Sequence, residues 1–159
     1  MEKLLELLSE NARYTNAELA VMLGLSEAET IKEIEALEKS GVIKGYKALI
    51  DWDKISNDRV TALIELKVTP QRDAGFEEIA ERIMSFPEVE TVYLMSGGYD
   101  LTVIVKGHTF KEVAMFVAKR LAPLDNVIST ATHFVLRRYK ELGVELVDNR
   151  NDDRGTFSF

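Results

Sequence analysis

Two capping boxes set close together do most to limit what this chain can become. Thr15-x-x-Glu18 and Ser26-x-x-Glu29 each pair a hydroxyl with a carboxylate three residues on, so each satisfies two free amides at a helix start. Gly24 lies between them, where a left-handed residue ends the first helix. The pair therefore predicts two short helices joined by a tight Gly24-Leu25 turn. The first carries Leu19, Ala20, Met22 and Leu23. The second runs to about Ser40, turns Thr30, Ile34 and Leu37 inward at helical spacing with Ile31 alongside, and is stopped by Gly41.

The flanks complete that unit. Residues 2–12 place Leu4, Leu5, Leu7 and Leu8 on a broad helical stripe, and residues 42–50 read as extended chain, a short wing or strand. Three helices and a wing spell a winged helix-turn-helix over residues 1–50. Residues 51–59 are polar apart from Trp52 and Ile55 and read as a linker, with Trp52 packing at the domain junction.

Beyond the linker, strands and helices alternate. Residues 60–69 form a strand closed by Pro70. Residues 74–86 carry Phe76, Ile79, Ala80 and Ile83 at helical spacing before Pro87. Strands over 89–96 and 99–107 precede a third capping box, Thr109 with Glu112, whose helix runs through Phe110, Val113, Ala114, Val117 and Leu121 to Pro123. A last strand spans 127–139. The order is βαββαβ, so the fold class is α+β: a winged helix-turn-helix followed by a ferredoxin-like domain over residues 60–140 and a solvated polar tail over 141–159. Both parities of these strands contain apolar residues, Leu63 and Ile104 among them. Two helices cover one face of a sheet, so the other is expected to be buried in a homodimer.

One connection stands out chemically. Ser96-Gly97-Gly98-Tyr99-Asp100 joins two β-rich runs, and its paired glycines are expected to supply positive φ. It admits two readings. One is a plain hairpin turn. The other is a cradle for a small zwitterion, with main-chain amides facing a carboxylate and Asp100 facing an ammonium. Tyr99 is then a pocket wall or an interface residue.

Composition narrows the classes. The 159 residues are 46% hydrophobic, enough for a sizeable core, and contain no cysteine, which removes disulfides, thiolate metal sites and thiol nucleophiles. No apolar run is long enough to span a membrane, and the charged amphipathic start is no signal peptide, so a cytoplasmic protein is expected. No cofactor or metal site is expected: His108 and His133 have no third ligand nearby. The net charge of −7 is uneven, with 7 Lys or Arg against 11 Asp or Glu over residues 1–55. That balance opposes generic affinity for nucleic acid.

The motifs in this order resemble the Lrp/AsnC (leucine-responsive/asparagine, feast/famine) family of transcriptional regulators. Leu19-Ala20, Gly24-Leu25-Ser26, and Leu37-Glu38-x-x-Gly41-Val42-Ile43-x-Gly45-Tyr46 are similar to the family's front domain, and Gly98-Tyr99-Asp100 after the second strand to its sensing domain. The resemblance covers roughly residues 1–140. It implies a regulator of double-stranded DNA that dimerises through the second domain, often assembles into octamers and commonly binds an amino-acid effector. It also implies a pocket between subunits, with Ser96, Gly97, Gly98, Tyr99 and Asp100 from one chain and Ser129, Thr130 and Thr132 from a neighbour.

The third helix departs from the family. Members place Arg or Lys at several exposed positions there, whereas this helix has Glu27, Glu29, Glu33, Glu35 and Glu38 against Lys32 and Lys39. The remaining candidates for DNA contact are Arg13, Ser26, Thr30, Lys32, Lys44 and Lys47, with the main-chain amides at the helix start. The alternative is a sensor or assembly protein on the same scaffold that has lost DNA affinity. Some tetrapyrrole decarboxylases resemble this architecture and would give His133, Arg137 or Arg138 a catalytic role, but no acid/base pair or nucleophile supports an enzyme.

Overall fold

A computed structural model describes residues 1–55, 58–70 and 75–147, which fall into two compact units meeting at Leu49 and Ile50. The first unit holds α1 (Glu2–Glu10), α2 (Asn16–Leu23) and α3 (Glu27–Lys39). Both capping boxes close as expected: Thr15 and Ser26 accept from the Glu18 and Glu29 amides, and each glutamate reaches back to its cap amide. Gly24 adopts the left-handed conformation at φ 70°, and its amide bonds carbonyls of α2, which is why the turn stays so short. Leu4, Leu19 and Leu37 form the buried centre, one from each helix, with Tyr14, Met22, Ile34 and Ile43 packed around them. The expected wing is extended chain without strand pairing, since residues 44–51 carry no regular secondary structure.

The second unit opens with a 3-10 turn, Trp52–Lys54, followed by β1 (Val60–Val68), α4 (Glu77–Met84), β2 (Val89–Leu94), β3 (Leu101–Gly107), α5 (Phe110–Phe116) and β4 (Val127–Phe134). The sheet order is β2-β3-β1-β4 with every neighbouring pair antiparallel, the split βαβ arrangement. β1 alternates strictly up to Glu65: Val60, Ala62, Ile64, Leu66 and Val68 point into a core completed by Ile79, Ile83, Val103, Val113 and Leu121. Burying that many aliphatic side chains, at about 1.5–3 kcal/mol each, dominates the stability of this unit.

Several expectations need correcting. The third capping box is only half formed: Thr109 accepts from the Glu112 amide, but the Glu112 carboxylate accepts from the His108 amide, one residue further back. The helix after it does not run α-helical to Leu121, because Val117–Leu121 is a π-helical turn. The last strand stops at Phe134. Beyond it Lys140–Glu141 (β5) and Val144–Glu145 (β6) pair as a small hairpin, so the segment expected as tail is ordered to residue 147. Ala74, Phe157 and Phe159 lie outside the described residues.

The face away from the helices is also less apolar than expected. Register settles this: Val92 pairs with Val103, and Ala62 with Phe134, on the helix side. The open face carries Leu63, Ile104, Ala131 and Tyr93 among Thr61, Thr91, Thr102, Glu65, Lys106 and His133.

Candidate functional site

In the first unit the inward positions of α3, Thr30, Ile34 and Leu37, fix what faces out. Ala28, Lys32, Glu35 and Lys39 follow at i, i+4, i+7 and i+11, and all four are exposed. This outward stripe is therefore less acidic than the helix as a whole, whose Glu27, Glu29 and Glu38 are exposed on its flanks. Glu29 is spent on the Ser26 cap, which holds its carboxyl below the usual carboxylate range. Glu38 accepts from the Tyr46 hydroxyl at 3.0 Å; burial and that carboxylate together push the Tyr46 pKa up.

Of the expected DNA contacts, Thr30 and Ser26 are engaged within the domain, whereas Lys44 is exposed beside a helix end. Thr30 is fully buried and its hydroxyl donates to the Ser26 carbonyl at 3.0 Å, so it cannot touch a phosphate. The Ser26 hydroxyl donates to Glu29 Oε2 at 2.6 Å while accepting the Glu29 amide, which leaves it committed to the cap. The Lys44 ammonium lies over Gly41, just past the carbonyl end of α3, where a helix dipole favours a cation. Arg13, Lys32 and Lys47 are exposed. Lys39 was not among the candidates, although counting from Thr30 and Leu37 places it on the outward stripe.

In the second unit the Ser96–Asp100 connection is held to the end of β1. The Asp100 amide donates to the Leu66 carbonyl at 3.0 Å, the Val68 amide donates to Asp100 Oδ2 at 2.9 Å, and the Met95 amide donates to the Asp100 carbonyl at 2.8 Å. One carboxylate oxygen of Asp100 thus has a structural duty, and among the described residues no hydrogen bond engages Oδ1. Neither Gly97 nor Gly98 has positive φ, contrary to expectation. A Cβ built on either would meet nothing within 4 Å. Both glycines are exposed.

Across β1 from this connection lie the expected hydroxyls of β4: Thr130 pairs with Leu66 and Ser129 with Lys67. Within one chain the two groups share an end of the sheet, separated by two strand spacings of about 5 Å each. Alternation splits the hydroxyls, however. Thr130 and Thr132 stand on the helix side, opposite Leu66 and Ile64, and Ser129 on the open side. His133 also faces the open side, its Nε2 3.1 Å from Glu65 Oε2, an exposed cross-strand pair.

Comparison with known proteins follows this division. Residues 2–44 match the model of a winged helix-turn-helix DNA-binding domain and residues 61–144 that of the Lrp/AsnC ligand binding domain. The uncharacterized HTH-type transcriptional regulator YugG of Bacillus subtilis is 47% identical over 153 residues, 96% of this chain and 92% of that protein. Regulatory protein AsnC of Haemophilus influenzae is 31% identical over 131 residues, covering 82% and 85%. Among solved structures, the transcriptional regulator NMB0573 of Neisseria meningitidis in complex with L-Met superposes at a TM-score of 0.70 with 27% identity, covering 87% of this chain and 89% of that one.

Proposed function

The chain belongs to the Lrp/AsnC family of helix-turn-helix transcriptional regulators, and on that premise we propose that it reads DNA through the outward stripe of α3 while its second unit senses an amino acid. Lys32 is the central contact, with Lys39, Arg13 and Lys47 on the flanks, and the amides at the start of α3 receive a phosphate. The relative from Neisseria meningitidis, in complex with L-Met, supports the effector class.

The observation that carries the sensing half is the clearance at Gly97 and Gly98. Both glycines are exposed and carry no side chain over the main chain, so the amides of the connection are open to a group from outside the chain. The effector's carboxylate meets main-chain amides of the Ser96–Tyr99 run, its ammonium meets Asp100 Oδ1, and Tyr99 forms a wall. The remaining contacts come from a neighbouring copy. Because alternation separates them, one ligand meets either Ser129 or the pair Thr130 and Thr132.

The open sheet face, with Leu63 and Ile104 paired at its centre, supports a homodimer, and stacking of dimers into an octamer brings the connection of one chain to β4 of another. The effector then acts by linkage: it stabilises the assembly that completes its pocket, and so the spacing of the DNA-reading heads that this assembly imposes. Such a protein works in the cytoplasm, beside its DNA. The test is a thermal-shift scan over the twenty amino acids together with retardation of the protein's upstream DNA at low and moderate salt. One or a few amino acids raise the midpoint, because a ligand that binds only folded protein stabilises it. A flat scan removes the amino-acid effector, and retardation unaffected by Lys32→Ala removes α3 as the reading element.

A further inference from the structure

The opposite end of β1, where Thr61 and Lys106 stand on the open face proposed above for the homodimer, carries a second cavity. A cavity of about 390 Å³ opens there, lined by Trp52, Arg59, Lys106, Phe110, Arg137 and Arg138 beside Val60 and Thr61. It lies roughly 20 Å from the Ser96–Asp100 connection, the rise of six strand residues from Thr61 to Lys67. Its volume is that of a pocket for a small organic molecule.

Four cations line the cavity with Asp53 as the single carboxylate among its lining residues. Two of the four are already matched. Lys106 pairs with Glu90, and Arg138, the least exposed of these cations, bonds Glu141 Oε2 at 2.8 Å with Asp53 4.0 Å away. The other two are held by aromatic rings. Arg59 stacks over Trp52 with its guanidinium carbon 3.5 Å from the ring centroid, and Arg137 lies 5.1 Å from the centroid of Tyr139. Stacking fixes a guanidinium by its face and leaves its in-plane N–H groups free to donate. Among the described residues no carboxylate pairs with Arg59 or Arg137.

We propose that this cavity binds a small organic phosphate, with Arg59 and Arg137 donating to the phosphate oxygens and the apolar wall of Val60, Phe110, Val135 and Leu136 receiving the organic body. Two pre-positioned guanidiniums, with two further cations behind them, suit a dianion with three oxygens. A monocarboxylate leaves most of those donors unmet. Trp52 and Asp53 form the first turn after the boundary between the two units, so an occupant fastens that turn to the sheet.

Isothermal titration of the full-length protein with AMP, adenosine and inorganic phosphate tests the site. AMP binds, and adenosine and phosphate bind at least roughly tenfold more weakly, since each lacks one half of the recognition. R59Q and R137Q each weaken AMP at least roughly tenfold and leave the amino-acid thermal shift unchanged; both side chains are exposed, so neither change disturbs folding. Saturating amino acid does not displace AMP. No heat at millimolar AMP, AMP binding equal in the variants and the parent, or phosphate binding as tightly as AMP overturns the proposal. Loss of operator affinity in R59Q and R137Q without any AMP binding also overturns it, and assigns these arginines to DNA phosphates.

Discussion

The Asp100 carboxylate accepts the Val68 amide at 2.9 Å, closing the end of β1 with a side chain from the β2–β3 connection. The pairing of β1 with β3 ends at Leu66 opposite Leu101, so the Val68 amide, two residues on, has no strand partner on that side. Asp100 supplies one, and the same residue is the proposed anchor for an effector's ammonium.

The two roles separate by substitution. Asp100→Asn keeps an oxygen for the Val68 amide and removes the charge; it should leave the melting temperature nearly unchanged and abolish the shift produced by an amino acid. Asp100→Ala also strands the Val68 amide and should cost about 1–3 kcal/mol in chemical denaturation. Equal loss of stability in both variants contradicts this division.

Gly97→Ala should be neutral or slightly stabilising, by up to about 1 kcal/mol, because the site has space and ordinary φ, and a Cβ narrows the unfolded ensemble. The amino-acid concentration giving half the thermal shift should rise at least roughly tenfold, since the clearance is then filled from within. A stable variant with unchanged effector response would mean that the opening is unused.

Lys32→Ala and Thr30→Val form a matched pair on α3. The first should weaken DNA retardation across sequences and lower the salt slope by about 1, as loss of one phosphate contact does. The second should leave the salt slope alone and cost roughly 0.5–1.5 kcal/mol through the lost hydroxyl bond to Ser26. The reverse outcome would restore Thr30 as a DNA contact.

Acid should loosen the helix-turn-helix first at its caps. Glu18 and Glu29 have lowered pKa values, the backbone and side-chain bonds of Thr15 and Ser26 favouring their ionised forms. A group whose folded pKa is depressed adds stability above its unfolded value, and loses it as pH falls through the folded one. Helicity followed by circular dichroism should therefore fall below the ordinary glutamate range. The double variant Glu18→Gln, Glu29→Gln should flatten that part of the profile.

Local chemistry made much of this legible. The capping boxes, Gly24 and the β1 alternation concern neighbours in sequence, so the helix-turn-helix and the strand order could be read directly. What sequence could not supply was register. Whether Val92 or Tyr93 faces the helices depends on their pairing with Val103 and Thr102, and a run apolar at both parities does not reveal it. The same gap hid the division of Ser129 from Thr130. Thr30 was a different failure: its inward position followed from Ile34 and Leu37, and its polar side chain nonetheless drew it among the DNA contacts. The Val117–Leu121 π-turn left no signal in the residues that build it.

β1 is bonded along both edges, to β3 on one side and β4 on the other, so it can neither stretch nor slide within the sheet. Val68, where Asp100 fastens the strand, and Val60, where it begins, therefore belong to one ladder whose hold on either end is shared by both neighbours.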